Sequence, residues 1–370
     1  MSKRILMIID GLPGGGAEKT VLTLSRGFLA LGHRVSLFSL RSVCDYPLPE
    51  GIDYQVIEDR CCTPWRKLTE LPRRAAQLEK AVISSQQQGG DFDLIISHLH
   101  KTDRIVRRLR VLPVEKVWFC LHGIYSASYL ARKRGLSRWY KKIKVRCVYQ
   151  QRNLIGVSPP VIDDLKNIFH VQPAHEKIIA NPFDIELIQQ LANAPCDLAG
   201  KEYLLHIGRF HPTKRHDRLL QAYAKSGITA PLVLIGKGCP EEEQRIRQQV
   251  AKLGLAERVI FKGFIDNPYP YIYHAKMLVV SSDSEGFGNV LIEALICGTP
   301  VVSTRCPGGP IHILTGELAR GLSAMNSEAL AEKITEFYQH PKKQVKSGLE
   351  RYHLDAICLE YLSLIEKRQT

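Results

Sequence analysis

The chain has 370 residues, enough at about 150 per domain for two or three domains with cores of their own. At 45% hydrophobic and 24% charged it has a globular composition, which excludes a disordered chain and a small stapled scaffold. The net charge of +14 is concentrated in residues 101–152, where fifteen Lys and Arg meet only Asp103 and Glu115, and this points to a localised anionic partner.

Short β-branched or apolar runs predict strands at 5–9, 34–39, 93–97, 117–121 and 154–157, then at 203–207, 232–235, 259–262, 277–280 and 301–303. Helical periodicity fills most of the gaps, at 18–31, 105–112, 136–150, 218–225, 241–253 and 290–297. Such alternation argues for parallel sheets with helices on both faces. It pauses from Asn181-Pro182-Phe183-Asp184 to Ala194-Pro195-Cys196-Asp197, so two doubly wound halves are expected, with a ligand cleft between them at the carboxyl ends of the strands. Gln86-Gln87-Gln88-Gly89-Gly90 reads as an exposed loop. The ten cysteines show no C-x-x-C pair and read as core-filling thiols rather than disulfides or zinc ligands. No apolar run approaches the roughly 20 residues of a membrane span, and the first one ends at Asp10, too short for a signal peptide; a cytosolic chain is expected.

After the first strand comes Gly11-Leu12-Pro13-Gly14-Gly15-Gly16-Ala17-Glu18-Lys19-Thr20. Glycines at a strand-to-helix turn let backbone N–H groups approach an anion, and the helix adds its positive end. A tight turn explains the same glycines, and neither the Walker loop nor the dinucleotide fingerprint is spelled here. The second constellation is Ser281-Ser282-Asp283-Ser284-Glu285-Gly286-Phe287-Gly288-Asn289-Val290-Leu291-Ile292-Glu293-Ala294. A strand ends, a flexible glycine loop follows, and an apolar helix starts near Asn289. That geometry aims the amides of Asn289 and Val290 at a phosphate while Glu285 meets sugar hydroxyls. Glu293, one turn into the helix, either accepts from a ribose diol or favours the helix dipole.

Glu285 and Glu293 also form an E-x7-E pair. With Gly14-Gly15-Gly16-Ala17-Glu18, His122-Gly123, Asn181-Pro182-Phe183-Asp184, Gly208-Arg209-x4-Lys214 and Cys306-Pro307-Gly308-Gly309, the ordered set resembles a retaining, GT-B-fold glycosyltransferase of family 4, of bacterial lipopolysaccharide or surface-polysaccharide type. The resemblance implies an α/β fold of two Rossmann-like domains facing a central cleft. Residues 1–182 would take the acceptor and 183–352 the nucleotide-sugar donor, with a helix at about 353–370 crossing back onto the first domain. It further implies that Arg209 and Lys214 neutralise the leaving diphosphate, where charge develops as the glycosidic bond breaks. Glu285 would contact the donor sugar, Glu293 the ribose, and His122 would lie beside the sugar. Gly15, Gly16, Gly208, Gly286, Phe287, Gly288, Asn289 and Val290 would complete the donor site. Retaining chemistry, a UDP-sugar donor, no resident cofactor and no metal are implied as well. Asp91-Phe92-Asp93 spells the metal-diphosphate signature of the other glycosyltransferase fold, but it precedes a strand and reads as a turn. Beyond Ile311 the chain departs from the family pattern, and no residue there is assigned.

Leu136, Tyr140, Ile143 and Cys147 form one apolar stripe with Trp139 at its edge, among Arg132, Lys133, Arg134, Arg138, Lys141, Lys142, Lys144 and Arg146. Such a helix either docks on an anionic membrane surface or turns its stripe to the core and its bases to solvent. The first option suits an enzyme peripheral on the inner face of the cytoplasmic membrane, moving a hexosyl or N-acetylhexosaminyl unit to a lipid-linked glycan such as a lipopolysaccharide core. Two other readings compete: a nucleic-acid binder, against which no recognised motif and no aromatic interleaving appear, and a nucleotide-sugar epimerase of the same fold.

Overall fold

The computed structural model describes residues 2–62, 66–131, 133–340 and 348–366. The chain divides into two compact units, Met1–Phe183 with Tyr352–Thr370, and Asp184–Arg351.

The first unit holds a parallel sheet of β1 (Arg4–Ile9), β2 (Arg34–Ser39), β3 (Asp53–Val56), β4 (Leu94–His98), β5 (Val117–Leu121), β6 (Asn153–Gly156) and β7 (His175–Ile178), in the order β3-β2-β1-β4-β5-β6-β7. Parallel neighbours require crossovers, and α1 (Gly16–Ala30), α2 (Arg66–Gly89), α3 (His100–Val106), α4 (Gly135–Tyr149) and α5 (Pro159–Phe169) lie in the connections. The inner strands β1, β4 and β5 are buried at every position, the pattern of a sheet covered on both faces. The edge strands β3 and β7 are largely exposed and polar.

Two predicted elements shift. The helix expected at 105–112 begins at His100 and stops at Val106; the amides of Arg108 and Leu109 turn back onto the carbonyls of Ile105 and Val106, ahead of Pro113. Residues Gln86 to Gly89 are the last turn of α2 rather than a loop, because α2 buries Ala75, Leu78, Val82 and Ser85 at helical spacing beneath a polar surface. The Asp91–Asp93 segment is indeed non-helical, and it is tied down: the Asp93 carboxylate accepts from the backbone N–H of Arg4 at 2.8 Å.

The second unit opens with α6 (Ile185–Ala192), a short helix inside the Pro-rich pause, capped by the Asp184 carboxylate, which accepts from the Leu187 amide at 3.0 Å. Its sheet consists of β8 (Leu204–Ile207), β9 (Leu232–Ile235), β10 (Val259–Gly263), β11 (Met277–Val280), β12 (Val301–Thr304) and β13 (Leu322–Ser323), again parallel, in the order β10-β9-β8-β11-β12-β13. The helices are α7 (His216–Ser226), α8 (Pro240–Lys252), α9 (Tyr269–His274), α10 (Asn289–Ile296), α11 (Pro310–Ile313) and α12 (Ser327–Gln339). Leu219, Tyr223, Leu234, Met277, Leu330 and Ile334 centre its core.

The last helix, α13 (Leu354–Glu366), belongs to the first unit. It packs on α1 through Tyr361 edge-on to Phe28, with centroids 6.2 Å apart. Gly27 permits this approach: a Cβ there would stand 2.5 Å from the Cys358 sulfur and 2.7 Å from Leu354. All ten cysteines are free thiols, but only Cys120, Cys297, Cys306 and Cys358 are buried; Cys44, Cys62, Cys147 and Cys239 are exposed, so core filling explains fewer than half.

Candidate active site

In doubly wound sheets the binding crevice lies at the carboxyl ends of the strands where the order reverses. That point falls between β1 and β4 in the first unit and between β8 and β11 in the second. The sequence motifs sit at these ends.

In the second unit β8 runs into Gly208 and Arg209, and Arg209 is exposed. A single turn, Pro212–Lys214, follows, and Arg215 at φ 51° starts α7. Lys214 donates to both oxygens of Glu285, at 2.6 and 2.9 Å, and Ser282 Oγ donates to one of them at 2.5 Å. The two segments are also joined through their backbones. The Asp283 amide donates to the Thr213 carbonyl at 2.8 Å, and Ser281 Oγ to the Lys214 carbonyl at 2.7 Å. Arg215 and the buried Arg218 both hold the Asp283 carboxylate.

The loop carrying Glu285 lies directly on Cys306-Pro307-Gly308-Gly309. The Glu285 amide donates to the Pro307 carbonyl at 3.1 Å. A Cβ on Gly308, whose φ is +115°, would stand 1.4 Å from the Glu285 carbonyl oxygen, and one on Gly309 1.4 Å from that of Phe287. Only glycine fits there, which gives this motif a backbone reason. Gly288 at φ 91° then caps α10, with Asn289 and Val290 in its first turn and Glu293 buried one turn along. The structure therefore gathers Gly208, Lys214, Glu285, Gly286, Phe287, Gly288, Asn289, Val290 and Glu293 around the β8–β11 switch.

In the first unit Gly15 caps α1. The Glu18 carboxylate folds back over it, within 2.3 Å of where a Gly15 Cβ would stand, and Gly14 donates to Asp45 at 3.1 Å. An acid thus already occupies the positive end of α1. His122 follows β5, and its Nε2 is 2.9 Å from Nδ1 of His98, at the end of β4. Burial pushes the His122 imidazole down to about 4 and holds His98 well below its ordinary value.

The apolar stripe of α4 does not face the core. Leu136 is 84% exposed, Trp139 62% and Tyr140 56%, whereas the buried residues of α4 are Val145, Val148 and Tyr149. Lys133, Arg134, Arg138, Lys141 and Lys142 surround that outward stripe. Arg132 lies outside the described residues.

Sequence reasoning gave no role to His98, Ser282, Asp283, Arg215 or Arg218. Ser282 and Asp283 lie inside a quoted motif, Arg215 and Arg218 follow another, and His98 follows a predicted strand, but a pairing such as Lys214 with Glu285 spans 71 residues and carries no local signal.

Residues 14–187 match the model of Glycosyltransferase Family 4, and residues 197–350 that of Glycosyl transferases group 1. An N-acetylgalactosamine-N,N'-diacetylbacillosaminyl-diphospho-undecaprenol 4-alpha-N-acetylgalactosaminyltransferase of Campylobacter jejuni is 26% identical over 97% of this chain and 99% of its own length. A D-inositol 3-phosphate glycosyltransferase of Acidothermus cellulolyticus is 32% identical over 82% of this chain and 73% of its own. Among solved structures, Anabaena Alr3699/HepE in complex with UDP and glucose superposes with a TM-score of 0.72 at 19% identity, over 99% of this chain and 98% of that one. Two parallel Rossmann-like units, neighbours of GT-B type and these matches together show that the chain belongs to the group 1 glycosyltransferases, with a family 4 N-terminal half.

Proposed function

We propose that this enzyme moves a hexosyl or N-acetylhexosaminyl unit, with retention of configuration, from a UDP-sugar to a lipid-linked glycan such as a lipopolysaccharide core. The observation that carries this reading is the Lys214–Glu285 pair, fixed at 2.6 Å beside Arg209 and the start of α10. An ammonium has three N–H donors, and Glu285 takes two, so the third serves a diphosphate oxygen. Because Glu285 cancels the charge of Lys214, Arg209 supplies the formal positive charge that stabilises the departing diphosphate. As the anomeric carbon–oxygen bond to the diphosphate breaks, the acceptor hydroxyl bonds that carbon from the same face. Its proton passes to a diphosphate oxygen. Glu293 holds the ribose and His122 the sugar, and the reaction uses no resident metal or cofactor.

The relative from Campylobacter acts, by its name, on a diphospho-undecaprenol substrate, and the Anabaena structure contains UDP. Both fit a lipid diphosphate acceptor and a uridine donor here. The outward stripe of α4 fits the same reading. Trp139 and Tyr140 have apolar bodies for a headgroup layer, and the surrounding bases attract anionic lipid, so the enzyme works as a peripheral protein on the cytoplasmic face of the inner membrane. Group 1 membership favours transfer over epimerisation, and an outward apolar stripe suits lipid better than nucleic acid.

A melting panel with UDP-, GDP- and ADP-sugars, followed by incubation with a polyprenyl-diphosphate glycan, tests the proposal. A rise in melting temperature with uridine nucleotides and sugar transfer only in the presence of the glycolipid are expected. An epimer formed without acceptor, or no nucleotide response, would refute it.

A further inference from the structure

The β4–β5 register pairs His98 with Cys120, so His98, Cys120 and, two residues on, His122 project from one face of the sheet. The chain then makes an uncommon move: Leu99 takes φ 73° and ψ 136°, a strained conformation for a non-glycine residue. The residues on either side of it are both anchored, His98 by a part-buried hydrogen bond to His122 at 2.9 Å and His100 Nδ1 by a buried one to the Tyr149 hydroxyl at 2.9 Å. The strained turn holds these two rings in place.

One N–H lies between the two imidazoles, and whichever ring donates it decides what the far nitrogen of the other can do. The far nitrogens, His98 Nε2 and His122 Nδ1, are buried and have no hydrogen-bond partner among the described residues. If His122 donated, His98 would carry its own proton on Nε2, a buried N–H with nothing to receive it. If His98 Nδ1–H donates, the leftover N–H moves to His122 Nδ1; either tautomer leaves one N–H and one lone pair over, but His98 is wholly buried and His122 only half-buried, so a ligand can meet the N–H only when it sits on His122. The proton of His122 then sits on Nδ1. We infer that His98 is a positioning residue that fixes the tautomer of His122, presenting its Nδ1–H as a hydrogen-bond donor to an oxygen of the bound sugar. This rests on the reading of His122 as a sugar-contacting group.

Cys120 completes a set of possible metal donors, its sulfur lying within 4.8 Å of the imidazole nitrogens. That thiol is 3.5 Å from the Tyr361 hydroxyl, and burial pushes it up to about 12, so without a metal it is a neutral thiol beside the pair.

Nitrogen-15 spectra of the imidazoles give the direct test in the intact protein. His122 protonated on Nδ1 in the wild type, retained in His98→Asn, whose amide N–H replaces Nδ1–H, and mixed or reversed in His98→Leu, is the expected result. Transfer should follow the same order, with kcat down about 10- to 100-fold in His98→Leu, KM for the donor little changed, and rescue in His98→Asn. His122 protonated on Nε2 in the wild type, or a spectrum unaltered by His98→Leu, would overturn the inference, as would one zinc per chain lost in that variant. His122→Ala with full transfer activity would instead sink the sugar-contacting role while leaving the tautomer result standing, so the two failures are distinguishable.

Discussion

Around the β8–β11 switch Lys214 is held by Glu285, and Arg215 and Arg218 by Asp283, whereas on α4 Arg134, Arg138, Lys141, Lys142, Lys144 and Arg146 have no ion-pair partner among the described residues. Cations held by carboxylates keep a fixed position and little net field. Surface cations without a carboxylate keep their full charge, even where Arg138 donates to the Leu130 carbonyl and Lys144 lies over the Tyr140 ring, and they act as a sum. The first arrangement suits a transition state, where one misplaced donor matters. The second suits attraction to an anionic surface, where no single residue does.

That contrast sets the sizes of effect. Lys214→Ala should reduce kcat/KM by about 100- to 1000-fold in steady-state transfer, the cost of losing one preorganised donor to developing charge. A loss under tenfold would place Lys214 among structural rather than catalytic cations. On α4 the expectation reverses. Replacing Lys133, Arg134, Lys141 and Lys142 together by Ser should weaken binding to anionic vesicles by about 1 kcal/mol per charge, so each single change costs only about fivefold and the four together several hundredfold. Co-sedimentation at rising salt measures this, and binding indifferent to both salt and the four changes would remove the membrane role.

The smallest effect concerns a buried group that is neither paired nor exposed. Asp103 accepts from Ser97 at 2.5 Å and Tyr149 at 2.7 Å, and burial raises its carboxyl to about 8. A raised acid binds more protons folded than unfolded, so its contribution to stability falls as pH climbs from the ordinary carboxylate range to about 8. Asp103→Asn carries no such charge. It should therefore melt higher than the wild type at pH 9, by about a few degrees, and lose that advantage at pH 5. A difference that stays constant with pH would show that Asp103 does not titrate in this range.

Legibility followed the same physics. The inner strands β1, β4 and β5 were readable because a covered parallel sheet demands continuous apolar runs, while β3 and β7 were not, since an exposed edge imposes no apolar pattern. Pro72 and the Gln86-Gln87-Gln88 run disguised α2, whose buried face is thin. Periodicity found α4 but could not say what covers its stripe; the exposure of Leu136 and Trp139 shows that the core does not. At the site, Gly288, Gly308 and Gly309 stood out because backbone geometry dictates residue type there, and the E-x7-E pair through the resemblance. His98 stayed hidden: the predicted strand stopped at Ser97, and nothing local ties it to a ring 24 residues later.

The arrangement at the β8–β11 switch is tested most directly by calorimetric titration of the wild type and of the Arg209→Ala, Lys214→Ala double variant with nucleoside diphosphates. One uridine diphosphate bound per wild-type chain, and at least a hundredfold weaker binding by a double variant that remains folded, is the expected result. Equal binding by both proteins would contradict the clamp and, with it, the assignment of the donor site.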